Sequence, residues 1–211
     1  MLRSPSPARF TPEEADAAGA EWRFNCGPGA LCGVLGLRPE EVRPHMGDFE
    51  QRGYTNPTLM FQALESLRAA GKLVSFRTLE GSPVDRNRAP FWPPFFGLAR
   101  VQWGGPWTKE GVPIRARYRK THWVGCWSSF EALAAAHLSG ATQREAHEGA
   151  RRIFDINATC AGGWIPFREW AEQLVPWLLN QCEPKADGSW WITHSIDINP
   201  GNCQPQRARS L

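Results

Sequence analysis

Three residues able to run nucleophilic acyl chemistry occur in the order cysteine, histidine, aspartate: Cys26, His122 and Asp155. A thiol needs a neighbouring imidazole to hold it as thiolate and later to protonate a leaving group. The imidazole needs a third group to fix its tautomer and orientation. Cys26 stands in Asn25-Cys26-Gly27-Pro28-Gly29-Ala30-Leu31, and His122 in Thr121-His122-Trp123-Val124-Gly125. Asp155 stands in Ile153-Phe154-Asp155-Ile156-Asn157, where Asn157 is a rival third member two residues on. Taken singly, each residue has a plainer reading: a small buried cysteine, a satisfied strand histidine, a turn-capping aspartate. The ordered set favours catalysis. His194, between Thr193 and Ser195, is the alternative base, whereas His45, His137 and His147 have no comparable context.

The elements that must position these residues follow from local pattern. Asn25 is a good N-cap, and Pro28 fits the first helical turn, where its missing N–H removes no helical bond. Leu31, Val34 and Leu35 repeat at helical spacing. Gly29, Ala30 and Gly33 suit close approach by another element. Cys26 is therefore predicted at a helix N-terminus, where free N–H groups and the dipole favour thiolate. Helices are also expected from Thr11-Pro12-Glu13-Glu14, at Arg38–Val42, over Pro57–Ala70, over Glu131–Leu138 and over Pro166–Gln181, the last kinked at Pro176. Strands are expected at Leu73–Thr78, Phe95–Trp103 with Gly97 as a bulge, Ile114–Tyr118, Thr121–Ser128, Arg152–Ile156 and Ser189–Ile198. Residues 83–94 read as a loop and 140–149 as a polar excursion. Helices first and sequential strands after predict an α+β fold with an antiparallel sheet. Residues 1–10 are expected to form a flexible arm, 11–199 a single domain and 200–211 a polar tail.

Composition narrows the function classes. The chain has 211 residues, 42% hydrophobic and 21% charged, which is enough for one sizeable core. A net charge of +3 does not demand nucleic acid. The basic run Arg115-Ala116-Arg117-Tyr118-Arg119-Lys120 reads as a solvated edge. No run is long enough to span a membrane, and no secretory signal opens the sequence. The expected compartment is therefore the cytoplasm, and the six cysteines are read as thiols. Cys26, Cys32, Cys126 and Cys160 include no Cys-x-x-Cys pair, so neither a metal site nor any other cofactor is expected. Eleven tryptophans against two tyrosines suggest apolar anchors, most of them in the core.

The Asn-Cys-Gly-Pro-Gly-Ala-Leu segment, followed far downstream by His-Trp-Val-Gly and Phe-Asp-Ile-Asn, resembles the papain-like cysteine peptidase superfamily. It is most similar to the branch with Cys-Gly-Pro helices, which includes bacteriocin-processing peptidase domains, and to small papain-like proteins of tailed bacteriophages. The resemblance implies N-terminal helices packed on an antiparallel sheet and a Cys26–His122–Asp155 triad. It implies a hydrolase of peptide, isopeptide or related amide bonds, with a protein or peptide substrate. A phage origin would place it in the host cytoplasm or on the virion, with virion or host proteins as partners. The superfamily carries a glutamine a few residues before the cysteine as oxyanion donor. Here Gly19-Ala20-Glu21-Trp22-Arg23-Phe24-Asn25 has none. The substitute candidates are the Cys26 N–H, Asn25, Trp22 and Arg23. The alternative reading is a weak or inactive scaffold on the same fold, serving as an interaction or virion-associated protein.

Overall fold

Glycine spacing in the cysteine helix sets how closely the molecule's two layers meet. A computed structural model describes residues 5–79, 93–117 and 119–201. Among the described residues five α-helices come first: α1 (Pro12–Trp22), α2 (Cys26–Leu35), α3 (Pro39–Val42), α4 (Phe49–Arg52) and α5 (Pro57–Ala69). Then follow β1 (Ser75–Leu79), β2 (Phe96–Trp103), α6 (Ile114–Arg117), β3 (Thr121–Ser128), α7 (Phe130–Leu138) and α8 (Gln143–Ala150). The chain closes with β4 (Arg151–Phe154), β5 (Trp164–Pro166), α9 (Phe167–Glu169), a π-helical turn at Trp170–Leu174, α10 (Val175–Cys182) and β6 (Trp190–Asn199).

The six strands among the described residues form one sheet in the order β1-β6-β2-β3-β4-β5, with every neighbouring pair antiparallel. The architecture is thus α+β, as the element order predicts. On one face the N-terminal helices bury Leu31, Phe49, Met60, Leu64 and Leu67 against Leu98, Trp123, Phe154 and Ile196. On the other face, Val124, Cys126 and Ile153 pack with Trp170, Val175 and Leu179. The sheet therefore has apolar partners on both sides, which is why β2 and β3 are buried almost throughout.

The close fit of α2 comes from missing side chains. A Cβ on Gly33 would lie 2.4 Å from the Phe154 ring, and one on Gly163 2.2 Å from the same ring. Phe154 is fully buried, so the ring has no space to retreat. Gly33 thus lets α2 settle directly onto the end of β4, which fixes where its N-terminus lies.

Several local expectations are corrected. Residues 114–117, expected as the start of a strand, form a helical turn, because the Pro113 carbonyl accepts from both Ala116 N–H (2.8 Å) and Arg117 N–H (3.3 Å); Tyr118 lies outside the described residues. The register irregularity of β2 falls between Arg100 and Val101 rather than at Gly97. The long C-terminal helix widens into the π turn just before Pro176, and Val175 N–H bonds to Trp170 O there. That wider turn accommodates the proline that would otherwise kink an α-helix. Within the segment expected as an arm, Ala8 N–H bonds Gly162 O (3.1 Å) and Phe10 is buried in the core. Most of the 83–94 loop, including Trp92, and most of the tail lie outside the described residues. No helix of the described residues is long and apolar enough to cross a membrane.

Candidate active site

Three elements bring Cys26, His122 and Asp155 to one end of the sheet. Cys26 is the first residue of α2, and the side chain of its N-cap, Asn25, accepts from Gly27 N–H (3.2 Å). The Asn25 amide N–H₂ reaches Gly53 O (3.1 Å), and Trp123 Nε1 donates to Thr55 O (2.8 Å). The 53–55 loop is thereby tied both to the helix tip and to the residue after His122. His122 opens β3. The antiparallel register sets Gly125 opposite Phe154, so the chain leaving β4 runs beside the start of β3. Asp155 sits at that exit, capping the short 3-10 segment Ile156–Ala161.

Asp155 is fully buried and completely engaged. Its Oδ2 meets His122 Nε2 at 2.8 Å and accepts from Trp170 Nε1 at 2.9 Å. Its Oδ1 accepts from the Asn157 backbone N–H (3.0 Å) and side-chain Nδ2 (2.8 Å). Of the two rival third members, Asp155 therefore holds the histidine, and Asn157 holds Asp155. Burial alone would raise the Asp155 pKa, but the His122 charge and hydrogen bond, with Trp170 and Asn157, bring it down to about 2.

With Nε2 committed to Asp155, His122 Nδ1 is left for the thiol. Burial opposes the imidazolium, but Asp155 and Cys26 together raise the His122 pKa well above its ordinary value. Burial likewise opposes the Cys26 thiolate. The charge and hydrogen bond of His122 and a backbone hydrogen bond from Trp123 outweigh that, and the pKa is lowered. Around Cys32 and Cys126 burial dominates; it pushes Cys32 well up and, against the nearby Arg151 charge, Cys126 to about 12. Of Cys26, Cys32 and Cys126, Cys26 is the one whose acidity is strengthened. The Trp103 ring lies nearly parallel to the His122 ring at 5.9 Å, covering one of its faces.

Cys26 and His122 open into a cleft of about 560 Å³. One wall is α1, the other is α10, and Trp103, Ile156 and Asn157 contribute to the lining between them. Among the described residues the Cys26 backbone N–H has no hydrogen-bond partner, so it is free to donate to an oxyanion. Asn25 lines the cleft, but its amide is spent on Gly53. Trp22 is not in the lining; it is buried against Phe24 and Phe49 under the Arg43 guanidinium. Arg23 turns away to Gln51 O (3.5 Å). His194 lies on β6 beside Thr193, outside the lining, and burial and the nearby Arg100 charge lower its pKa to about 4. Among the described residues, no three His, Cys, Asp or Glu side chains converge as a metal site requires.

Trp170 and Trp103 are the contributors that sequence reading did not single out. Their tryptophan identity carries no signal of it, because a buried indole is most often simply core. Comparison of the chain with protein-family models, with curated proteins and with solved structures finds no match.

Proposed function

We propose that this chain is a cysteine hydrolase of papain-like type that cleaves peptide, isopeptide or related amide bonds through an acyl-enzyme. The observation that carries the reading is the 2.8 Å bond from His122 Nε2 to Asp155, which turns the other ring nitrogen to a thiol at a helix N-terminus. The Cys26 sulfur adds to the substrate carbonyl carbon, and the carbonyl electron pair moves onto oxygen, where the Cys26 N–H donates to it. Collapse breaks the C–N bond, and the amine leaves with the proton from His122 Nδ1. Water then attacks the thioester, giving its proton to His122. The C–S bond breaks, releasing the acid and restoring the thiolate. Asp155 keeps the ring oriented and offsets its charge throughout.

The α+β architecture and the helix-tip cysteine support the papain-like assignment. The test is turnover of a panel of fluorogenic peptide amides and activated esters, with mass analysis of acylated Cys26. Turnover and an acyl adduct, both lost in Cys26→Ala, are expected. Wild-type protein that neither turns over nor acylates on any of them refutes the reading.

One observation favours the non-catalytic scaffold as the second reading. The α1 face toward the cleft offers Pro12, Ala15, Asp16 and Gly19, with no side-chain amide to supply the second oxyanion donor. Loss of one such donor costs about 3 kcal/mol of barrier. The same panel separates the two readings.

A further inference from the structure

The residues of α1 that wall the cleft, Pro12, Ala15, Asp16 and Gly19, form one helical stripe. Three are small or carry no polar group, and Asp16 is the one charged side chain among them. The other acids of α1 are occupied. Glu13 interacts with the Thr11 side chain, Glu14 bonds the Thr11 N–H (2.8 Å) and Arg38 (2.9 Å), and Glu21 pairs with Arg43. Asp16 makes no hydrogen bond or ion pair among the described residues. On the opposite wall Glu183 is matched by Lys120 at 2.8 Å, and Leu178 and Leu179 are apolar. Among the described residues no lysine or arginine lines the cleft, although the whole chain carries +3. A Cys26–His122 ion pair is neutral as a unit, and Asp155 adds a buried negative charge behind it. The cleft is therefore locally electronegative on a basic protein, with one carboxylate unmatched.

Resting on the hydrolase reading, we propose that the cleft selects substrates with a basic side chain, lysine or arginine, close to the attacked carbonyl, and that Asp16 reads that charge. Ala15 and Gly19 leave room along α1 for the aliphatic stem of such a side chain, which brings its cationic head to Asp16. An acidic side chain there meets a like charge, and a neutral one leaves Asp16 unpaired.

The test has two readouts on the full chain. First, Cys26 is modified with a cationic (trimethylammonium-ethyl) and an anionic (sulfonatoethyl) methanethiosulfonate, and its peptide is quantified by mass. The cation-to-anion rate ratio, normalised to a small free thiol, is expected about threefold or more above one at low ionic strength, because one solvent-exposed carboxylate attracts the cation and repels the anion. Asp16→Asn is expected to bring the ratio down toward one, and Asp16→Lys to invert it. A wild-type ratio of one, or a ratio unmoved by Asp16→Asn, overturns the inference. Second, kcat/KM is compared for lysine-, leucine- and glutamate-bearing peptide amides. A lysine preference that Asp16→Asn removes supports the inference. Equal turnover of all three overturns it while leaving the hydrolase intact. A high modification ratio with neither turnover nor acylation across the wider amide and ester panel refutes the hydrolase reading and upholds the electronegative cleft.

Discussion

Asp155→Asn should cost stability in a way that depends on pH with two limbs. The native carboxyl is held at about 2 against an ordinary 3.8, a separation worth about 2.5 kcal/mol. Because its pKa is depressed by folding, this contribution is complete above about pH 4 and is lost as pH falls through about 2. His122 has the opposite sign. Its pKa is raised by folding, so its contribution is complete below the ordinary 6.5 and is lost as pH rises through the higher native value. Stabilisation by the pair is therefore greatest between about pH 4 and about pH 6.5. Asparagine fills the same space but has one acceptor oxygen where four donor contacts converge. With that oxygen turned to His122 and Trp170, its amide faces the Asn157 N–H, a mismatch of about 1–3 kcal/mol at any pH. The variant should thus be weaker by about 3.5–5.5 kcal/mol inside the window and by only about 1–3 kcal/mol near pH 2. Urea unfolding followed by tryptophan fluorescence, from about pH 2 to about pH 8, measures this. A deficit that stays constant with pH, or a variant as stable as wild type near pH 5, refutes the assignment of an ionised Asp155 bound to a charged His122.

Trp170→Phe keeps a ring against Trp190 but removes the indole N–H from Asp155 Oδ2. It should lower stability by about 1.5–3 kcal/mol and move the acid limb of unfolding to higher pH, read by the same titration. Gly33→Ala drives a methyl into the immobile Phe154 ring. Chemical denaturation should show a loss of about 1–3 kcal/mol. In native protein near neutral pH, iodoacetamide should label Cys26 and leave Cys32 and Cys126 untouched, as peptide mass mapping would report; equal labelling of the three contradicts the burial and acidity assigned to them.

Much of this arrangement was legible because short-range rules carried it. Asn25, Pro28 and the Leu31–Leu35 spacing define a capped helix whatever it packs against, and the glycines announce the close approach that Phe154 occupies. The antiparallel pairing of β3 with β4 follows from sequential strands, and it brings Asp155 beside the start of β3. What failed were places where one backbone contact overrides pattern. The alternation of residues 114–118 resembles a strand, yet Pro113 nucleates a turn. The three-residue β5 is too short to carry periodicity and exists because β4 offers it a partner. The contribution of Trp170 depends on a π turn and on a contact fifteen positions away, which no spacing rule encodes. The choice between Asp155 and Asn157 was open for a related reason: both lie near the end of β4, and only the three-dimensional path separates the residue that touches His122 from the one that touches Asp155.

His122 is assigned to hold Cys26 toward its thiolate. The rate of Cys26 alkylation against pH, followed by peptide mass in wild type and in His122→Ala, addresses it directly. A wild-type profile centred below the ordinary thiol value of about 8.5, moving upward when the imidazole is removed, is expected. A wild-type profile centred at that ordinary value and unmoved in His122→Ala would contradict it.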